Sequence, residues 1–203
     1  MLKLYHVPGS RSVRVRWFLE ERGLDYELES MPFEKTSLQS PDYLKKNPLG
    51  KVPALDDGDS TLFESGAILE YLMEKYGDGG LKLATGGKEW ERYLIWMHGS
   101  ESFAWQVAMY FFNVSLVAEE DRSEAIIADA KSRLMVVLAG AESELNGRVY
   151  ICGDEFTAAD IMFAYGILFA SHFDVLNNDD HPNLLAYFDR IKTREAFQRA
   201  MAD

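Results

Sequence analysis

A single cysteine, Cys152, stands among 203 residues. One thiol excludes an intrachain disulfide and any all-cysteine metal site, and it suits a reducing compartment. Basic side chains are also scarce: 21 Lys and Arg against 33 Asp and Glu give a formal net charge of −12. So acidic a chain disfavours a general nucleic-acid or anionic-membrane surface, and an anionic ligand would need a locally positive pocket. The four histidines, His6, His98, His172 and His181, show no close ligand spacing, and no metal is expected. An apolar run of about 18 residues, the length that a membrane span requires, is lacking too. The opening MLKLYHVPGS reaches Pro8-Gly9 too soon for a signal peptide, so a cytoplasmic protein is expected. The rest is ordinary globular composition, 47% hydrophobic and 27% charged, enough for one large or two small domains.

Residues 2–7 form a β-prone run closed by Pro8-Gly9, a strand entering a turn that holds Ser10 and Ser12. Residues 12–23 read as a helix, with Val13, Trp17 and Phe18 set against Arg14, Arg16, Glu20 and Glu21, and Gly23 as its stop. A second strand follows over residues 25–31. A short helix then starts at Ser40-Pro41-Asp42 and halts at Asn47-Pro48, because the residue before proline avoids the helical region. Next comes NPLGKVPALDDGDSTLFESGAILEY, residues 47–71. Pro53 sits in what otherwise reads as a strand, where a missing N–H marks an edge, a bulge or a cis bond. Thr61-Leu62-Phe63 reads as one more strand, and Ile68, Leu69, Leu72, Met73 and Tyr76 share a helical face. Ser65 is the natural N-cap of that helix, whose N–H groups and partial positive charge suit a carboxylate or phosphate. Strand and helix thus alternate over residues 1–78 as a small α/β layer.

Residues 77–87 are glycine-rich and read as a linker. No strand pattern follows. Residues 88–113 carry Trp90, Tyr93, Trp96, Phe103, Trp105, Tyr110, Phe111 and Phe112 on a helical period, too many for one buried stripe, so some should line a cavity or an interface. Residues 119–145 read as a long helix with Ile126, Ala130, Leu134, Val137, Leu138 and Ala141 on its apolar side. FTAADI at residues 156–161 is a helix start: Thr157 as N-cap, Asp160 as its reciprocal partner, and Phe156 against Ile161 as a staple. That helix should be central. Another helix over residues 182–191 and a short one after Thr193 make the second half all-helical.

NPLGKVPAL, FESGAILEYL and FTAADI, in this order over nearly the whole chain, resemble the cytosolic glutathione S-transferases, of the bacterial, serine-class kind. The resemblance implies an α/β plus all-α fold: a thioredoxin-like glutathione-binding domain over residues 1–78, then an all-helical domain over residues 88–203 that contributes the hydrophobic substrate site. It implies that Val52-Pro53 is a cis peptide whose valine backbone pairs with the cysteinyl backbone of glutathione, and that Glu64 and Ser65 hold the γ-glutamyl end. The chemistry agrees. That end is a zwitterion, so it needs an acceptor for its ammonium and donors for its carboxylate, which Glu64 and Ser65 at a helix start supply. Lys51 is placed to meet the glycyl carboxylate, and Gln39 stands where some relatives have a further glycyl-end contact. Each such charge-assisted hydrogen bond is worth roughly 1.5 to 3 kcal/mol.

The co-substrate must react as a thiolate, and a free thiol of pKa about 8.5 is only a few per cent ionised at neutral pH. One hydroxyl donating to the sulfur suffices to lower that pKa by one or two units. The serine-type classes imply Ser10, counted back from Arg14-Val15-Arg16; Tyr5 occupies the tyrosine position of other classes, and Ser12 either serves or simply caps the helix. Arg11 would add positive potential near the sulfur. The first turn lacks a cysteine, against the cysteine-type classes, and GSRS lacks the serine-serine-cysteine signature of the zeta-type isomerases. Cys152 reads as a small core residue.

The second substrate is expected to be an apolar electrophile, with Val7, Trp105, Tyr110, Phe111 and Tyr165 as candidate walls. Glu101 stands where an acid reaches the partner subunit's glutathione in some homodimeric relatives. Detoxifying conjugation is the first functional expectation. A non-catalytic dimeric binding or regulatory module, or a carrier of hydrophobic ligands, are the others.

Overall fold

The computed structural model describes residues 1–77 and 80–202, so Asp78 and Gly79 of the expected linker, with the expected domain edge at 78, and Asp203 lie outside the described residues. The first compact unit is Met1–Lys82 together with the closing residues from Lys192 on; the second is Leu83–Ile191. The segment from Lys192 on thus packs with the first unit.

Four strands form the sheet of the first unit: β1 (Leu2–His6), β2 (Tyr26–Ser30), β3 (Ala54–Asp57) and β4 (Ser60–Phe63), in the order β2-β1-β3-β4. β1 runs parallel to β2 and antiparallel to β3, and β3 is antiparallel to β4. Leu2, Leu4 and His6 are buried while Lys3 and Tyr5 between them are not, the period of two expected of a half-buried strand. Pro53 lies just outside β3, which begins at Ala54, since a ring nitrogen has no hydrogen to give the ladder. One row of the sheet matters most. Tyr5 is paired with Ala54, and Ala54 with Phe63, so the chain leaves β1, enters β3 and leaves β4 at the same end.

The helices of this unit are α1 (Ser12–Arg22), α2 (Lys35–Leu38), α3 (Pro41–Leu44), α4 (Ser65–Tyr76) and α9 (Glu195–Met201). α1 packs on β1, α4 and α9. Val13, Val15, Phe18 and Leu19 of α1 and Ile68, Leu69 and Leu72 of α4 are almost wholly buried, which is why these helices form around their apolar faces. α2 has no buried residue and no apolar period to announce it. α9 is held to α1 by Trp17 against Phe197, ring centroids 5.0 Å apart. Arg194 forks onto Glu21 at 2.6 and 2.8 Å, and Arg199 reaches Glu20 at 2.8 Å.

In the second unit α5 (Gly87–Phe111), α6 (Glu124–Leu145) and α8 (Pro182–Lys192) accompany α7 (Ala158–Ala170). All of α7 except Leu168 and Phe169 is buried, the central position expected of FTAADI. Its capping box is formed: Asp160, fully buried, accepts the Thr157 N–H at 2.8 Å, the Ile151 N–H at 2.9 Å and the Tyr187 hydroxyl at 3.0 Å. α5 and α7 approach so closely at Gly166 that a Cβ there would lie 2.3 Å from the Phe103 ring. α6 starts later than expected, at Glu124, because Ser123 caps it by accepting the Ile126 N–H; residues 119–121 form a separate 3-10 turn. Ile126 is 55% exposed rather than part of the apolar side. No described helix is long and apolar enough to cross a membrane.

Candidate active site

The turn after β1 carries the first group of side chains. Val7 O accepts the Ser10 N–H at 3.1 Å, and Gly9 between them has φ 70°. Val7-Pro8-Gly9-Ser10 is therefore a tight turn whose third position needs the left-handed region that glycine enters without strain. Beyond it, Ser12 Oγ lies 2.8 Å from His6 Nδ1 and 2.7 Å from Ser10 Oγ. It also accepts the Val7 N–H at 3.1 Å, and Ser10 Oγ accepts the Ser12 N–H at 3.2 Å. His6 and Ser12 are wholly buried and Ser10 is half-buried. Ser12 does not cap α1, whose N-cap is Arg11; its hydroxyl turns back to the end of β1 because that is where its polar partners are. Arg11 is half-buried.

Tyr5 points elsewhere. Its hydroxyl donates to Asp56 Oδ2 at 2.9 Å, and Lys46 and Thr61 also bond that carboxylate. Burial, with Asp56 alongside, raises the Tyr5 pKa. A hydroxyl spent on a carboxylate and made harder to ionise is poorly placed to serve a sulfur anion.

The second group is the turn before β3. Asn47, 3% exposed, donates from Nδ2 to Lys51 O at 2.7 Å and to Pro53 O at 3.3 Å, and accepts the Leu49 N–H at 3.0 Å. The Tyr43 hydroxyl donates to the same Lys51 O at 2.7 Å. These bonds hold the Lys51-Val52-Pro53 backbone from behind, with the Val52-Pro53 peptide cis. The Lys51 side chain is exposed, Val52 half-buried and Pro53 buried. Gly50 (φ 61°) brings the turn against Gln39: a Cβ there would lie 3.4 Å from Gln39 Cγ. Gln39, itself exposed, thus neighbours the Lys51 turn.

The third group follows β4. Glu64 alone separates β4 from α4, and it adopts φ 71°, ψ 114° as the N-cap. Ser65, the expected cap, is the first helical residue instead, because a connection of one residue must reverse the chain at Glu64 itself. Holding a non-glycine residue there costs on the order of 1 to 3 kcal/mol. The strain leaves the Glu64 carboxylate exposed and the Ser65 hydroxyl buried. Ser65 Oγ accepts from Arg14 Nη1 at 3.2 Å, which polarises its own O–H as a donor. By the pairing of Tyr5, Ala54 and Phe63, all three groups lie at one end of the sheet.

In the second unit Tyr110, Phe111 and Tyr165 belong to one aromatic cluster. Phe111 meets Phe169 at 5.4 Å and Phe173 at 5.8 Å, Tyr110 meets Phe173 at 5.8 Å, and Tyr165 meets Phe169 at 6.1 Å. Tyr165 is 4% exposed and Trp105, further back on α5, 47% exposed. Glu101 on α5 is half-buried. Val7, in the first unit, is buried. Cys152 is buried, its thiol pKa pushed up to about 12 by burial, which suits a core residue. Among the described residues no three His, Cys, Asp or Glu side chains are grouped to hold a metal ion.

His6, Tyr43, Asn47 and Arg14 were not among the expected site residues. His6 had a signal: it occupies an inward position of β1, where an imidazole must find a polar partner. Asn47 was read only as a helix stop.

Comparison with known proteins shows the family. The family model described as glutathione S-transferase, N-terminal domain, matches residues 1–74, and that of the C-terminal domain matches residues 104–195. Glutathione S-transferase 3 of Zea mays is 32% identical over 99% of this chain and 93% of its own length. Glutathione S-transferase 3 of Schizosaccharomyces pombe is 31% identical over 97% and 85%. Among solved structures, glutathione transferase F7 from Populus trichocarpa superimposes with a TM-score of 0.84 at 29% identity over 100% of both chains. The theta class enzyme of Xanthomonas axonopodis pv. citri, solved with glutathione bound, gives 0.84 at 28% identity over 100% of this chain and 97% of its own. The chain belongs to the glutathione S-transferase family, and it carries both the N-terminal and the C-terminal domain of that family.

Proposed function

We propose that this protein is a serine-type glutathione transferase in which the Ser10 hydroxyl holds glutathione as a thiolate for attack on an apolar electrophile. The observation that carries this reading is the contrast among three hydroxyls: Tyr5 is committed to Asp56, Ser12 is buried, and Ser10 is half-buried at the end of the sheet shared by the other two groups. Glu64 takes the γ-glutamyl ammonium, while Ser65 and the α4 N-terminus take its carboxylate. The Val52 backbone pairs with the cysteinyl residue, its orientation set by the cis bond to Pro53. Lys51 meets the glycyl carboxylate, with Gln39 beside it. Arg11 adds positive potential to a protein that is otherwise acidic.

The thiolate attacks the electrophilic carbon, a carbon–sulfur bond forms, and the leaving group departs with the electron pair of its bond. Ser10 keeps its proton throughout and only donates a hydrogen bond. In the helical unit Tyr110, Phe111, Tyr165 and Trp105 are the proposed apolar residues for the electrophile, and in the first unit Val7. Membership of the family further supports a cytoplasmic homodimer active in detoxification, with Glu101 reaching the partner subunit's glutathione.

The test is glutathione binding by calorimetry beside turnover of chlorodinitrobenzene and several other electrophiles. Binding with turnover is expected. Binding without turnover on any electrophile would favour the non-catalytic module or the ligand carrier, and no binding would overturn the site. For the activating hydroxyl, Ser10→Ala should raise the pKa of bound glutathione by about one unit or more while Tyr5→Phe leaves it unmoved.

A further inference from the structure

The hydroxyl that faces the sulfur does not stand alone: His6 Nδ1, Ser12 Oγ and Ser10 Oγ form a chain with links of 2.8 and 2.7 Å. Counting hydrogens along it restricts what Ser10 can do. Ser12 has one hydroxyl hydrogen and two lone pairs. One lone pair is taken by the Val7 N–H at 3.1 Å. Two arrangements then satisfy both short links. In the inward one, Ser10 donates to Ser12 and Ser12 donates to a bare His6 Nδ1. In the outward one, His6 Nδ1–H donates to Ser12 and Ser12 donates to Ser10. Ser12 also lies 3.2 Å from Val7 O, but a hydrogen given there would leave three donors, the Val7 N–H, the His6 Nδ1–H and the Ser10 hydroxyl, for the two lone pairs of Ser12, and one short link would fail.

The arrangements differ in where the Ser10 hydrogen goes. In the inward one it is used within the protein, and a lone pair of Ser10 would face an approaching sulfur anion. In the outward one Ser10 Oγ accepts from the Ser12 hydroxyl and from the Ser12 N–H at 3.2 Å, so both lone pairs are occupied and its hydrogen is directed away from the chain. Two donors on one hydroxyl oxygen also strengthen the bond that it donates.

Resting on the reading of Ser10 as thiolate donor, we infer that His6 is a positioning residue: its Nδ1–H, acting through Ser12, fixes the direction of the hydrogen-bond chain so that Ser10 gives its hydrogen to the glutathione sulfur. His6 has no contact with the substrate in this scheme and keeps its proton. Its tautomer is what matters.

Two measurements on the full chain test this. In the glutathione complex, imidazole nitrogen chemical shifts of the 15N-labelled protein are expected to show His6 protonated at Nδ1; a bare Nδ1 overturns the inference with no variant needed. The thiol pKa of bound glutathione, read from thiolate absorbance, is expected to rise by roughly one unit in His6→Phe, the worth of a weakened hydrogen bond to a charged acceptor. His6→Asn, whose amide N–H can occupy the place of Nδ1–H, should recover most of that shift, which a purely structural role would not predict. In a Ser10→Ala background, His6→Phe should add nothing. A shift in Ser10→Ala with none in His6→Phe overturns the role of His6 and leaves that of Ser10. No shift in Ser10→Ala removes the reading of Ser10, and this inference with it. Should His6→Phe fail to fold, Ser12→Ala breaks the same chain, and an unmoved thiol pKa there is equally decisive against it.

Discussion

Asn47 and Asp160 do the same work with opposite chemistry. Each is a buried polar side chain that collects backbone groups where a regular element begins. Asn47 is neutral and gives hydrogens to two carbonyls ahead of β3; Asp160 is a carboxylate and takes the N–H groups of Thr157 and Ile151 at the start of α7. The backbone that Asn47 holds belongs to the proposed glutathione site. The backbone that Asp160 holds is core. An amide can brace a ligand turn without adding charge beside the ligand, whereas the helix start inside the core uses a carboxylate whose burial its N–H partners offset only in part. The cost of that anion is sensitivity to pH: burial pushes the Asp160 pKa up to about 6, against the pull of its four donor bonds.

The largest effect expected is from Asp160→Ala. It leaves the Thr157 and Ile151 N–H groups buried without an acceptor, a loss of about 2 to 6 kcal/mol at one to three per group, and leaves the Tyr187 hydroxyl only the Asp160 carbonyl at 3.5 Å; denaturant unfolding measures it. A loss below about 1 kcal/mol would mean that water or a shifted side chain replaces the carboxylate. The next is the pH dependence. Asp160 holds its proton more tightly folded, at about 6, than at its ordinary 3.8, so its contribution to stability should grow as pH falls from about 6 toward 4, by at most roughly 3 kcal/mol. Asp57 behaves in the opposite sense. Burial would raise its pKa, but Lys75, Tyr76 and Tyr71 outweigh that and lower it, so its contribution is complete above the ordinary value and is lost as pH falls below it. Unfolding followed against pH should therefore separate the units, and Asp160→Asn should remove the rise between about 6 and 4.

Asn47→Ala should cost about 2 kcal/mol, with the Pro53 carbonyl and the Leu49 N–H losing their partner and Lys51 O left to the Tyr43 hydroxyl alone. It should also weaken glutathione binding roughly tenfold, since the Lys51-Val52 backbone is no longer held for the ligand. Unchanged affinity in that variant would break the contrast drawn between the two braces. The smallest change, Glu64→Gly, should have a mixed outcome: a gain of roughly 1 kcal/mol as the φ 71° conformation becomes easy, with glutathione affinity reduced tenfold or more as a charge-assisted bond of about 1.5 to 3 kcal/mol is lost. A variant that is both more stable and equally tight would remove Glu64 from the site.

Local pattern made much of this legible. Thr157 and Asp160 are three residues apart, so their pairing lies within one helical turn and could be read directly; the same holds for the tight turn at Pro8-Gly9. The cap lies one position before the expected Ser65 because, although the strand end at Phe63 is legible, nothing in FES marks a glutamate to turn the chain alone at φ 71°. The start of α6 is later than residue 119 because Glu119-Glu120-Asp121, acidic as a first helical turn often is, forms a separate 3-10 turn, and the cap falls to Ser123. The partners of His6, Asn47 and Arg14 depend on how strands and helices come together. Arg14 reaches Ser65 across 51 residues of chain, a distance at which no local spacing speaks.

The return of α9 to α1 has a consequence in time. A chain emerging from the ribosome generally folds domain by domain, amino end first, yet here Trp17 must wait for Phe197, and Glu20 and Glu21 for Arg199 and Arg194. The sheet that carries the proposed glutathione site is made early, but the face of α1 that those residues cover stays open to water until synthesis has passed residue 199. The helical unit, Leu83–Ile191, has by then been translated in full. The first unit is thus begun first and completed last.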